Sequence, residues 1–162
     1  MLRYVRWDGR SALPSLELNG GPAKVLVVAD LPVAPELRAR AAQALVREGA
    51  RYVCTWGTDC EAWHDAVDLA EALLNREAGV AGDDDCSRQD GIFVMTTWHA
   101  WDPLEDAMHF YRYSTSHPDL ELAGALILHV SNSDQADRLL ALYGAANEES
   151  PVVARSGGMR PR

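Results

Sequence analysis

Four short apolar runs, each followed by a polar cluster and then by a helical pattern, restrict this chain to an α/β architecture. Lys24–Ala29 runs into Asp30, and Tyr52–Val53 runs into Cys54-Thr55-Trp56-Gly57-Thr58-Asp59-Cys60. Ile92–Met95 runs into Thr96-Thr97-Trp98-His99, and Ala125–Val130 into Ser131-Asn132-Ser133-Asp134. Strands that alternate with helices form a parallel sheet, and such sheets hold their ligands beyond the carboxyl ends of the strands. The pattern predicts a three-layer, doubly wound, flavodoxin- or Rossmann-like fold with a mostly parallel sheet of four core strands. Leu2–Trp7 fits an additional N-terminal edge strand.

The helices are bounded by local signals. Pro35 suits the first turn of a helix over 35–48, and Gly49 suits the position after it. Thr58-Asp59-Cys60-Glu61 has the form of a capping box, which starts a helix over 59–77 with Trp63, Ala66, Val67, Ala70, Leu73 and Leu74 on its apolar stripe. Two further helices are predicted over 103–115 and 133–145. Residues 1–23 read as an arm or edge strand, 24–145 as a single α/β domain and 146–162 as a disordered tail. Right-handed crossovers allow the core order 2-1-3-4, counting the four runs as they occur. That order sets Asp30 and Thr96–His99 on either side of one crevice.

Composition narrows the function. The net charge of −9 argues against nucleic-acid backbones and anionic membranes as partners and permits a basic protein or a cationic ligand, although solubility alone accounts for it. No apolar run approaches the ~20 residues that span a bilayer. The basic but polar start, MLRYVRWDGR, lacks the apolar core of a secretory signal, so a cytoplasmic location is expected. The cysteines number three, an odd count that with no export signal suggests reduced thiols at Cys54, Cys60 and Cys86. Neither a G-x-G-x-x-G loop nor a phosphate-binding G-x-x-x-x-G-K-S/T is present, and no cofactor is expected. Asp83-Asp84-Asp85 lacks the spaced ligands of a calcium loop and reads as a solvated acidic run.

Three functions fit the residues. The first is a non-catalytic or accessory domain that binds a small ligand or a protein partner at the strand ends. Trp56, Trp98 and Trp101, with Thr96 and Thr97, would line that site, since tryptophans at strand ends commonly serve pockets and interfaces. A plainer role for them is to cover the end of the sheet. The second is a small hydrolase or transferase. Cys60 in the first turn of a helix would be the nucleophile, His99 its base, and Asp30 or Asp59 the group that orients the ring. Asp59 and Glu61 oppose thiolate formation there, so a structural half-buried cysteine is the simpler account. The third is a structural or oligomerisation module. A weaker metal set, Cys54, Cys60, His64 and His99, would close a Cys2His2 site, though its spacing matches no standard zinc module. His129, inside an apolar strand, reads as a hydrogen-bonded core histidine.

The segment IFVMTTWHAWDPLEDAMHFYRYSTSHPDLELAGALILHVS resembles an uncharacterised bacterial family. The matching features are Phe93–His99, the helix start at Pro103–Asp106, His117-Pro118 and Ile127–His129. The resemblance spans roughly 24–145. It implies a bacterial cytoplasmic protein and carries over no catalytic residue.

Overall fold

The computed structural model describes residues 1–19, 21–80 and 91–145. The acidic run Asp83–Asp85, Cys86 and the segment after 145 lie outside them. The elements are β1 (Leu2–Trp7), β2 (Ala23–Ala29), α1 (Pro35–Arg47), β3 (Ala50–Gly57), α2 (Cys60–Glu77), β4 (Met95–His99), α3 (Leu104–Tyr113), β5 (Gly124–Val130) and α4 (Ala136–Ala145). The five strands form one sheet in the order β1-β5-β2-β3-β4, and every neighbouring pair is parallel. The architecture is a three-layer, Rossmann-like α/β fold.

The two faces follow from strand alternation. Val25, Val27, Val53, Leu126, Leu128 and Val130 pack with α1 and α2. Leu26, Val28, Tyr52, Cys54 and Ile127 face Leu104, Met108 and Tyr111 of α3 and Leu139 of α4. Among the described residues, the connection from β1 to β2 contains no helix. It lays Leu13, Leu16 and Leu18 on the α1/α2 face instead, as a right-handed crossover requires.

The strand order corrects the expected 2-1-3-4. The apolar strands β2 and β5 lie inside, whereas the short, polar β4 (MTTWH) and the arginine-bearing β1 (LRYVRW) form the two edges. Polar and charged residues on a short strand suit an edge, where backbone groups meet solvent. The chain therefore steps outward from β2 through β3 to β4 with both helices on one face. It returns through α3 on the other. The topological switch point lies between β2 and β5, so Asp30 is not across a crevice from His99.

Two strand boundaries also move. Cys54, Thr55, Trp56 and Gly57 belong to β3, and Thr96–His99 belong to β4, so these polar clusters are strand rather than loop. Ile92–Val94 instead forms a lead-in held by α2. Asn75 bonds both Ile92 backbone groups, Glu71 accepts the Val94 amide, Asp68 accepts the Thr96 hydroxyl, and His64 packs on Trp98. Those four helical residues share one face, and their targets alternate along the strand. This ladder fixes the register of the edge strand.

Helix α2 starts without the capping box. Its N-cap is Asp59, in the left-handed conformation at φ 54°, and no side chain caps it. Thr58 instead uses its amide to reach the Ala29 carbonyl at 2.7 Å.

Candidate functional site

Parallel register aligns one row of side chains across the carboxyl ends of all five strands, on the α3/α4 face. Arg6 lies beside His129, His129 beside Val28, Val28 beside Trp56 and Trp56 beside His99. Both histidines of the row are oriented by aspartates.

At the inner end, His129 is 1% exposed. Its Nε2–H donates to Asp30 Oδ2 at 2.7 Å, and its Nδ1 accepts from the Tyr4 hydroxyl at 2.8 Å. The Tyr4 oxygen also accepts the Gln135 amide at 3.3 Å. Burial raises the Tyr4 pKa and keeps it a neutral donor. The arrangement ties β1, β5, β2 and the start of α4 together. His129 is thus the hydrogen-bonded core histidine that its strand pattern indicates, and Asp30 is the histidine's partner at the switch point.

At the outer end, His99 is 9% exposed. Its Nδ1–H donates to Asp102 Oδ2 at 2.8 Å, and its ring packs on Phe110 with centroids 4.9 Å apart. The Thr97 hydroxyl lies 3.4 Å from Nε2. Trp56 Nε1 donates to the Asp102 carbonyl at 2.8 Å and fixes the turn that carries the carboxylate. Asp102 was not evident from residue type alone, although its position three residues after His99 is a local signal for such a pair.

The other candidates separate. Cys60 opens α2 on the opposite face of the sheet from the His99 ring. Its thiol is influenced by the backbone amides of Glu61, His99 and Cys60, while burial pushes its pKa up. Asp59 pairs with Arg38 at 3.8 Å. His64 lies between Asp65 and Asp68. Cys54 is buried against α3, and desolvation raises its pKa to about 12. Cys54, Cys60, His64 and His99 therefore do not converge. Among the described residues no three histidine, cysteine or carboxylate groups are placed to hold a metal.

These environments make a direct prediction. In native protein at pH 8, iodoacetamide should modify Cys54 roughly a thousandfold or more slowly than a free thiol, because so little thiolate is present at that pKa. Cys60 should also react slowly. Peptide mapping after timed labelling checks both, and denaturation should restore ordinary rates.

The tryptophans divide by position. Trp56 is partly covered within β3. Trp98 on β4 is 48% exposed, and Trp101, just beyond it, is 95% exposed. Phe93, at the other end of β4, is also exposed. Asp65 and Asp68 flank His64, which packs on Trp98, and Asp102, Glu105 and Asp106, which follow Trp101 in sequence, are also exposed.

The fold is that of a Rossmann-like α/β domain. The model of one family, described as a domain of unknown function (DUF7684), matches residues 2–146, and the chain belongs to that family. The match includes β1, so the family domain starts earlier than the resemblance over 24–145 indicates. Searches of curated proteins and of solved structures give no match. Among the described residues, no helix is long and apolar enough to cross a membrane.

Proposed function

We propose that this domain is a binding module that takes a basic protein partner at the carboxyl end of β4. The observation that carries this is Trp101, an indole 95% exposed just beyond the end of an edge strand and followed in sequence by the exposed carboxylates Asp102, Glu105 and Asp106. A large apolar ring left in water lowers the free energy of the system when a partner covers it. Tryptophan is also the strongest aromatic partner for arginine and lysine cations. Asp102, Asp65 and Asp68 add Coulombic attraction for the same cations, which speeds encounter more than it deepens affinity. The overall negative charge points the same way.

A hexaarginine peptide tests this reading by intrinsic tryptophan fluorescence, with hexaglutamate as the control. Hexaarginine should perturb the emission saturably, with a dependence on salt. Combined Trp98→Ala and Trp101→Ala substitution should weaken binding by about tenfold or more while leaving circular dichroism unchanged. Equal responses to the two peptides, or full binding by the folded double variant, would contradict the proposal. Self-association that depends on these tryptophans would assign the surface to a second copy of the chain instead.

A further inference from the structure

The outer end of the row has a chemistry beyond partner binding, with Asp102 common to both. We infer that Thr97, His99 and Asp102 form an acyl-transfer site, with Thr97 Oγ1 as nucleophile, His99 as base and Asp102 as its positioning residue. The three groups form a chain of contacts. The hydroxyl lies 3.4 Å from Nε2, and Nδ1 lies 2.8 Å from the carboxylate. A hydroxyl, an imidazole and a carboxylate in that order constitute the nucleophile–base–orienter arrangement, which is recognised by geometry and not by chain position. A contact of this length between nucleophile and base is within the range found before substrate binds.

The supports are fixed as well. Phe110 holds the plane of the ring, and the Trp56 indole holds the Asp102 backbone. Thr97 is partly exposed and Asp102 is half exposed at the sheet edge, and the Thr97 side chain also hydrogen-bonds the side chains of Tyr52 and Cys54. The helix-borne Cys60 thiol, by contrast, is buried and meets the His99 backbone rather than its ring.

With an ester as substrate the steps balance. Thr97 Oγ1 attacks the acyl carbon while its proton passes to His99 Nε2. The tetrahedral intermediate then collapses, the C–O bond to the alcohol breaks, and the alkoxide leaves with that proton. Water attacks the threonyl ester next, giving its proton to Nε2. The Thr97 oxygen departs and recovers it, so the net products are an acid and an alcohol. Asp102 holds the Nδ1–H through both halves and stabilises the transient imidazolium.

The probe is p-nitrophenyl acetate. The parent protein should release p-nitrophenol and carry an acetyl group on Thr97, located by peptide mass spectrometry. Thr97→Val and His99→Gln should lower the rate by roughly a hundredfold or more, as expected when a nucleophile or its base is removed. Thr97→Ser should retain acetylation at the same position. Asp102→Asn should fall with them, and Asp102→Glu should recover part of the rate, which a merely structural role for this half-exposed carboxylate would not produce. Acetylation confined to lysines, or a folded Thr97→Val or Asp102→Asn protein that turns over at the parent rate, would overturn the inference. Hexaarginine binding is read independently of acetyl transfer, so either result stands without the other.

Discussion

Trp63→Ala should destabilise the domain by about 3–5 kcal/mol, the range for emptying a fully buried aromatic position. Trp63 is the largest fully buried side chain among the described residues, and its ring meets Trp7 edge to face, with centroids 6.4 Å apart and planes at 81°. Alanine there leaves a cavity where α2 meets the sheet and removes an aromatic pair worth about 1 kcal/mol beyond its area. Typical domains are stable by only ~5–15 kcal/mol, so the melting temperature should fall by roughly 10 °C or more. Trp63→Phe separates two contributions. The Trp63 Nε1 is buried with no hydrogen-bond partner among the described residues. A buried donor left unmatched carries a penalty of about 1–3 kcal/mol. Phenylalanine removes that donor along with part of the volume, so its loss should be well below that of alanine. Equal losses for the two variants would contradict this account.

Gly57→Ala is the second large effect, and it acts through backbone rather than packing. Gly57 has φ of +92°, and a Cβ there would lie 2.3 Å from the Ala29 carbonyl oxygen. The strands cannot separate freely, because Ala29 pairs with Gly57 in the sheet and the next amide, Thr58, bonds the same carbonyl. Alanine therefore meets both an unfavourable φ and a backbone clash. A strained conformation of this kind costs about 1–3 kcal/mol before the clash is counted. The expected loss is at least about 3 kcal/mol. Because the turn sets the start of α2, the indole of Trp98, held by His64, should also change its emission. Chemical denaturation with a fluorescence readout measures both, and an unchanged midpoint would contradict the geometry.

The layered α/β class was legible because it depends on local periodicity. α1 and α2 fall within one residue of their expected starts or ends, since Pro35 and the apolar stripes are local signals. The sheet order was not legible. Right-handedness relates the direction of a crossover to the face its helix covers, yet nothing in α3 states which way the chain turns. The polarity of Met95–His99 was the available clue, because a strand with two threonines and a histidine belongs at an edge. The same misplacement put Asp30 opposite His99. Each histidine has its own aspartate instead, and only Asp102 is close enough in sequence to be found from spacing. Asp30 and His129 meet across 99 residues of chain, a pairing that depends on β5 returning beside β2.

The exposed tryptophans were identifiable by residue type, but their exposure depends on β4 being outermost. Trp56, equally suggestive in the sequence, is partly covered because β3 is internal. It serves by holding Asp102.

The most direct test of the binding surface is amide and indole chemical-shift mapping of the isotopically labelled domain during titration with hexaarginine. The largest shifts should fall on the Trp98 and Trp101 indoles, His64 and the amides of 96–102. Shifts centred on Asp30, His129 and Gln135 would move the binding site to the switch point between β2 and β5, and shifts spread evenly over the acidic surface would leave no site at the end of β4.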